Sequence, residues 1–275
     1  MFGKLVPVPS GAVIPERDIG KRPILNCINL GVTFGGLKAV DDFNLMIGRT
    51  EIAGLIGPNG AGKTTVFNLL TKVYQPTHGT ILLDGQDTHN MTTAQVNRAG
   101  IARTFQNIRL WKSMTVFENV LVAKHMRAKQ NVFSAIFRAN AKEEARMREE
   151  TMELLKEQGL EQYKDEIATS LPYGLQRRLE IARALATDPK LLLLDEPAAG
   201  MNPQETQELA EYIKEIRDRH HLTVFLIEHH MDLAMKISDY IYVIDFGSEI
   251  ARGVPKEVQQ NKRVIEAYLG VTEDA

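Results

Sequence analysis

The sequence predicts an α/β fold with a mixed sheet, an antiparallel β subdomain and an inserted helical subdomain. Three observations support this prediction. An apolar strand leads through a glycine-rich loop into a helix, a long helical stretch follows, and apolar strands then alternate with helices again. Because alternating β and α elements build parallel sheets covered by helices, we expect a mostly parallel core.

Length and composition indicate a globular protein with one large domain, or a core with a smaller subdomain. The chain has 275 residues, of which 44% are hydrophobic and 25% are charged. A formal net charge of −2 gives no general basic field, which argues against nucleic acid as a partner. No run approaches the ~18 apolar residues of a membrane span. Residues 1–23 lack a secretory signal and are predicted to be a flexible extension, with residues 271–275 a tail.

The first elements of the core are two strands around a turn, followed by a buried strand and a helix. Apolar residues alternate with other residues on both sides of Gly35-Gly36, a pattern typical of half-buried strands. EIAGLIG has few charges and predicts a buried strand that ends at Gly57. The residues after Lys63 take helical spacing, so the predicted order is strand, glycine loop, helix.

A helical insert is predicted between about residues 115 and 189. Gly159 ends one of its helices, in which one face carries Met147, Thr151, Leu154 and Gln158. The strand LLLLDEP follows, and then a helix with an apolar stripe from Leu209 to Ile216. The strand TVFLIEHH, a hairpin and a short terminal helix complete the chain.

The glycine-rich loop predicts a site for the phosphates of ATP. Residues 57–64 match G-x-x-x-x-G-K-[ST], in which glycines allow backbone N–H groups to wrap phosphate oxygens. The helix that starts there directs its positive dipole end at the same anion. Lys63 is expected to reach the β- and γ-phosphates and the Thr64 hydroxyl to bind Mg²⁺. The predicted nucleotide-binding residues of this segment are Gly57, Pro58, Asn59, Gly60, Ala61, Gly62, Lys63, Thr64 and Thr65.

Two carboxylates follow the strand Leu191 to Leu194. Asp195 and Glu196 come at the edge where α/β sheets place their ligands. Asp195 is suited to the Mg²⁺ shell, and Glu196 to a general base that polarises the attacking water. Taken alone, DEP could equally be a helix cap or a turn. Together with the glycine loop, it indicates nucleotide hydrolysis.

Several further motifs are similar to those of the ATP-binding cassette (ABC) family. LPYGLQRRLEIARAL resembles the family's LSGGQ signature and the helix that follows it. Gln106 in RTFQN resembles the Q-loop, His229 in LIEHH the switch histidine, residues 198–202 the D-loop, and Phe34 the aromatic residue that stacks on adenine. The resemblance spans about residues 24–270. It implies a P-loop NTPase fold, with a RecA-like core over 24–108 and 190–270 and a helical subdomain over 109–189.

The resemblance also implies roles for these residues. Gln106 would contact the metal or the water and relay nucleotide occupancy to a membrane partner. His229 would contact the γ-phosphate and orient Glu196, so Glu196, His229 and Gln106 form the predicted catalytic set, with Thr64, Gln106 and Asp195 around Mg²⁺. Phe34 lies on an alternating strand and could instead be a core aromatic.

In this family ATP lies between the glycine loop of one subunit and the signature of another. Gly174 and Gln176 are therefore expected to face the partner's nucleotide. The signature departs from the family at Pro172, Tyr173 and Leu175, and proline offers neither a hydroxyl nor an N–H to phosphate. His230 stands where an acidic residue commonly follows the switch histidine. The sequence therefore suggests that the two composite sites are unequal.

Within the family, the chain most resembles the longer ATPase of branched-chain amino acid importers. The resemblance rests on FGGLKAVDDFNL, RTFQNIRLW, DEPAAGMNP, VIEAYLG and the extra helical stretch near 127–158. It implies an assembly with a second ABC ATPase, as a homo- or heterodimer, two transmembrane permeases and, indirectly, an extracytoplasmic solute-binding protein. The subunit would lie peripherally on the cytoplasmic side of the inner membrane. Ile108, Leu110 and Trp111 would dock the permease, although Trp111 could be a core residue.

An ABC ATPase could have one of three alternative functions. Importers of amides or urea share much of the same sequence. A lipopolysaccharide-exporting ATPase is a further transporter motor. A soluble ABC ATPase that acts on DNA or ribosomes would need tandem cassettes or a coiled-coil arm and a basic surface, which the sequence does not show.

Overall fold

The computed structural model describes residues 23–127, 140–229 and 231–269. The chain divides into two compact units. The first comprises the chain up to Ile101 together with the part from Lys190 onward, and the second runs from Ala102 to Pro189. The helical unit of the structure begins at residue 102, seven residues before the predicted start at 109. The predicted extension, apart from Pro23, the predicted tail and His230 lie outside the described residues.

The first unit carries nearly all the strands. Its elements up to Ile101 are β1 (Leu25–Phe34), β2 (Leu37–Ile47), β3 (Ile52–Ile56), α1 (Lys63–Leu70), β4 (His78–Leu83), β5 (Gln86–Asp87), α2 (Thr93–Ala99) and the start of β6 (Ile101–Arg103). The second unit contributes α3 (Val116–Lys124), α4 (Asn140–Glu157) and α5 (Tyr173–Leu185). The chain then returns with β7 (Leu191–Asp195), α6 (Pro203–His220), β8 (Thr223–Glu228), α7 (Met231–Ile237), β9 (Tyr240–Asp245), β10 (Ser248–Gly253), α8 (Pro255–Gln259) and α9 (Lys262–Leu269).

Two sheets form, and they confirm the predicted fold class. The first is a four-stranded antiparallel sheet in the order β2-β1-β4-β5. The second has six strands in the order β10-β9-β3-β8-β7-β6, with β9, β3, β8 and β7 parallel and β10 antiparallel to β9. The sheet is therefore mixed, as expected.

Buried apolar strands fix the centre of the six-stranded sheet. Every residue of β3, β7 and β8 is buried, as expected for strands covered on both faces. Phe67 of α1 packs against Phe225 of β8, with ring centroids 5.2 Å apart. This packing fixes the helix that follows the glycine loop against the sheet.

The second unit is helical, and its longest helix has the predicted buried face. Met147, Thr151 and Leu154 of α4 and Gln158 just after it are buried, and Gly159 follows with φ +67°. Arg148 and Glu144 form an ion pair on the solvent-exposed surface of α4, beside the buried face. Among the described residues, no helix is both long enough and apolar enough to cross a membrane.

Candidate functional site

Three neighbouring parallel strands end at one edge of the sheet, and each leads into a predicted site residue. Ile56, the last residue of β3, is in register with Glu228, the last residue of β8. Asp195 at the end of β7 is in register with Ile227 of β8. The glycine loop (residues 57–64), the acidic pair and the switch histidine therefore leave the sheet at the same carboxyl edge, where α/β folds bind ligands.

The glycine loop needs glycine at two positions because neighbouring backbone lies against it. A Cβ at Gly57 would lie 2.0 Å from the Ile244 carbonyl oxygen. Gly62 has φ +107°, and a Cβ there would lie 2.7 Å from the Ala39 carbonyl oxygen. Gly62 is also the N-cap residue of α1, and it has no side chain that could accept a hydrogen bond from the first N–H groups of the helix. The N–H groups of the first helical turn therefore have no cap from this residue, which leaves them suited to an anion.

Lys63 lies across the loop that precedes it. Its Nζ donates hydrogen bonds to the carbonyl oxygens of Gly57, at 2.7 Å, and Pro58, at 2.8 Å. Burial lowers the pKa of Lys63, while the nearby carboxylates of Glu196, Asp195 and Glu228 act in the opposite direction. An ammonium group held between the glycine loop and these acids is placed to bind a polyanion at this edge.

Glu196 is held in an unusual backbone conformation beside His229. Its φ is +45°, which L-residues rarely adopt, and its N–H donates to the Ile227 carbonyl oxygen at 3.0 Å. Its Oε2 lies 3.4 Å from Nδ1 of His229, and its side chain is 12% exposed. The structure thus brings together the predicted base and the predicted switch histidine.

Glu228, which the sequence did not predict as a site residue, is a fully buried carboxylate directly before His229 in the chain. Its Oε1 accepts a hydrogen bond from the Ala198 N–H at 3.1 Å, which holds the turn immediately after Glu196 and Pro197. The sequence does carry a signal for this residue. A glutamate ends a mostly apolar strand and directly precedes the switch histidine. Charged residues are seldom fully buried without a specific partner.

Replacing Glu228 should show whether this hydrogen bond positions Glu196. Leucine removes the acceptor and leaves the buried Ala198 N–H unsatisfied, at a cost of ~1–3 kcal/mol. We expect Glu228→Leu to lower kcat about tenfold with little change in KM for ATP. The matched control is Glu228→Gln, which keeps a carbonyl acceptor and should stay close to the wild-type rate. Equal loss in both variants would show instead that the negative charge matters.

Phe34 lies at the end of β1, exposed rather than in the core. Its side chain is 43% exposed, and its ring meets that of Tyr74 edge-on, with centroids 5.1 Å apart. Tyr74, just beyond α1, is itself 39% exposed and was not selected from the sequence. The two exposed rings lie in the same unit as the glycine loop. Stacking of Phe34 on a base therefore remains a prediction, and we expect Tyr74 to take part in it.

The remaining predicted residues lie in the second unit. Gln106 is exposed, and its carbonyl oxygen accepts a hydrogen bond from Arg177. Pro172 is the N-cap of α5 and provides no side-chain cap, while Gly174 in the first turn is exposed. Gln176 donates its side-chain N–H to the Leu171 carbonyl oxygen at 2.8 Å, so its amide supports the turn before α5. Contact of Gly174 and Gln176 with a nucleotide remains a prediction.

Comparison with known proteins identifies the family. The sequence model described as ABC transporter matches residues 40–199, more than half of the chain. The chain belongs to the ABC transporter family. A second family model, described as branched-chain amino acid ATP-binding cassette transporter, matches residues 249–274.

Individual relatives of this ABC protein cover nearly its whole length. It is 49% identical over 253 residues to the high-affinity branched-chain amino acid transport ATP-binding protein LivG of Escherichia coli K12, covering 90% of this chain and 98% of that protein. It is 47% identical over 251 residues to BraF, a protein of the same description from Pseudomonas aeruginosa, covering 90% and 98%. The crystal structure of the ADP conformation of an ATP-binding cassette of an ABC transporter matches with a TM-score of 0.80 at 30% identity, covering 91% of this chain and all of the other.

These findings settle the general activity. The ABC chain described here binds and hydrolyses ATP as a subunit of a transporter complex. Its glycine loop, Asp195, Glu196 and His229 follow parallel strands that end at one edge of the sheet.

Proposed function

We propose that this subunit powers the uptake of branched-chain amino acids. The observation that carries this proposal is the match of residues 249–274 to a family model of branched-chain amino acid transporters, which lies outside the region common to ABC ATPases. The identities of 49% to LivG and 47% to BraF support it. An ABC relative described as the lipopolysaccharide export system ATP-binding protein LptB of Haemophilus influenzae is 32% identical over 247 residues. Because this identity is lower than those to LivG and BraF, branched-chain amino acids are better supported as the cargo than lipopolysaccharide.

In the proposed reaction, Glu196 is the general base. Its carboxylate accepts a proton from the attacking water as the water oxygen bonds to the γ-phosphorus and the bond to the β-γ bridging oxygen breaks, giving ADP and phosphate. His229, 3.4 Å from Glu196, orients the base and contacts the γ-phosphate. Lys63 exchanges its hydrogen bonds to the loop carbonyls for bonds to the β- and γ-phosphates.

Mg²⁺ is the metal that the available donors suit. Thr64 is the second residue of α1, and the buried Asp195 is the last residue of β7, so the hydroxyl and the carboxylate of one unit provide two hard oxygen donors. Gln106 would add an amide oxygen. When bound, Mg²⁺ would neutralise the negative charge that develops on the transferred phosphoryl group.

The proposed assembly places two ATPase subunits on two permeases at the cytoplasmic face of the inner membrane. One partner is a second ABC ATPase whose glycine loop faces residues 171–176 of this chain, here called the signature segment. The permeases would contact Ile108, Leu110 and Trp111, of which Trp111 is 40% exposed. A solute-binding protein outside the membrane would deliver the amino acid.

The proline at position 172 should weaken the site that it helps to form. Pro172→Ser restores a hydroxyl at the N-cap of α5, where serine is a favoured residue. We expect the variant to raise the ATPase rate of the assembled complex several-fold. Steady-state hydrolysis by the wild-type and variant complexes tests this, with Ser170→Ala, an exposed residue of the same turn, as the control. An unchanged rate and unchanged nucleotide affinity would contradict the proposed weakness.

The proposed cargo is tested by uptake into proteoliposomes that contain the purified complex and its solute-binding protein. We expect ATP-dependent uptake of leucine, isoleucine and valine. A panel with urea and short amides provides the comparison, because those importers share much of the sequence. Uptake of urea or amides without uptake of branched-chain amino acids would replace the proposed cargo. A second test is to purify the tagged subunit from membranes and identify the proteins that accompany it. Ribosomal proteins instead of permeases would contradict a role in import.

A further inference from the structure

Helix α5 carries a buried ion pair that the mechanism above does not use. Arg177 and Glu180 are 1% and 5% exposed, and Nη1 of Arg177 lies 2.7 Å from Oε2 of Glu180. Burying two charges costs several kcal/mol each unless further hydrogen bonds satisfy them.

Four further hydrogen bonds of the pair go to the backbone of the segment that contains Gln106. Arg177 donates hydrogen bonds to the carbonyl oxygens of Phe105, at 2.8 Å, and Gln106, at 2.9 Å. Glu180 accepts bonds through Oε1 from the N–H groups of Phe105 and Arg109, both at 3.3 Å. Two side chains thus satisfy four backbone groups on either side of Gln106.

The segment has no helix or strand of its own to provide these bonds. Residues 104–111, here called the Gln106 segment, lie outside the helices and strands of the structure. Backbone N–H and C=O groups need partners wherever water is excluded. Arg183, two turns after Arg177 on α5, adds a bond to the Arg109 carbonyl oxygen and lies over the Trp111 ring, 4.1 Å from its centroid. Phe105, Gln106, Arg109 and Trp111 of this segment therefore contact one face of α5.

The signature segment is joined to the same pair. Nη2 of Arg177 donates to the Tyr173 hydroxyl at 3.3 Å, and the guanidinium lies 5.9 Å from the Tyr173 ring centroid. Tyr173 occupies a position where the family's signature has glycine. Arg177 thus contacts both a signature residue and the backbone of Gln106.

We propose that Arg177 and Glu180 are positioning residues that hold Gln106 in place for the bound nucleotide's metal and tie its segment to the signature. The inference rests on the proposed role of Gln106. Arginine suits this role because its planar guanidinium reaches two carbonyls, a hydroxyl and a carboxylate at once, which an ammonium group cannot do. Outer residues that orient a metal's ligands typically affect metal affinity or activity by ~10–100-fold when changed.

The test needs variants that fold without the pair. Losing one partner alone would leave a buried charge, whereas replacing both with apolar residues of similar volume is often tolerated. The double variant Arg177→Met with Glu180→Leu therefore removes the hold on the Gln106 segment while keeping the core filled. Arg177→Lys keeps the charge and loses the planar reach. The matched control is Arg148→Lys, in an exposed pair on α4 of the same unit.

The first readout needs no hydrolysis. Trp111 is the single tryptophan of the chain and belongs to the Gln106 segment, so the fluorescence of the purified full chain reports on that segment. We expect acrylamide to quench Trp111 more strongly in the double variant and in Arg177→Lys, at unchanged helix content by circular dichroism. Quenching equal to that of the wild type and of Arg148→Lys would overturn the inference.

The second readout addresses the metal. We expect the Mg²⁺ concentration for half-maximal ATPase of the assembled complex to rise roughly tenfold in Arg177→Lys, while ATP affinity measured in excess chelator stays within about twofold. In a Gln106→Ala background, Arg177→Lys should add little. A full tenfold rise in that background, or no rise in the wild-type background, would show that Arg177 does not act through Gln106. A Gln106→Ala variant with the wild-type Mg²⁺ requirement would instead refute the proposed role of Gln106 and leave the quenching result intact.

Discussion

Replacing Glu196 with glutamine should lower kcat for ATP hydrolysis by roughly 100-fold or more, the size expected when a general base is lost. Glutamine has the same shape but cannot accept the proton of the attacking water. The left-handed backbone and the bond from its N–H to Ile227 do not depend on the side chain, so the local geometry should persist. Single-turnover hydrolysis with ATP in the presence of Mg²⁺ measures the effect.

ATP binding provides the control for this variant. Because Lys63 and the glycine loop are unchanged, Glu196→Gln should bind ATP within a few-fold of the wild-type affinity. Hydrolysis within about threefold of the wild-type rate would contradict the assignment of Glu196 as the base. Loss of binding together with hydrolysis would indicate instead that the turn after β7 had been disrupted.

Replacing Lys63 with methionine should weaken ATP binding by roughly 10–100-fold, because hydrogen bonds to charged groups contribute about 1.5–3 kcal/mol each. Methionine keeps an unbranched apolar stem and removes the ammonium group that now bonds to the carbonyls of Gly57 and Pro58. Equilibrium binding of a fluorescent ATP analogue to the purified chain gives the affinity. The control, Lys262→Met, alters a lysine that is 76% exposed and should bind normally. Equal affinities in the two variants would rule out phosphate binding by Lys63.

Much of the core was predictable because local backbone and burial requirements appear directly in the sequence. The glycine loop needs glycine where neighbouring carbonyls come within contact distance, so its pattern is strict. Strands buried on both faces become unbroken apolar runs, as in Leu191 to Leu194. The sequence also contained a signal that was missed: Thr92 and Gln95 have the spacing of a capping box and start α2.

Long-range pairings were not predictable because periodicity carries no information about which elements become neighbours. Strand β8 lies between β3, about 170 residues earlier in the chain, and β7, which leads into the turn after Glu196. The contact between Glu228 and that turn follows from this strand order. The same holds for Arg177 and Glu180. Their spacing places them on one helical face, but nothing in the helix indicates that the partner is the backbone around Gln106.

The measurement that tests the central claim most directly is leucine uptake by proteoliposomes that hold the reconstituted complex with its solute-binding protein. With the wild-type subunit, we expect uptake that requires both ATP and Mg²⁺. With Glu196→Gln in this subunit, uptake should fall in parallel with hydrolysis although ATP still binds. Undiminished uptake with the Glu196→Gln subunit would contradict the conclusion that ATP hydrolysis at this site drives import.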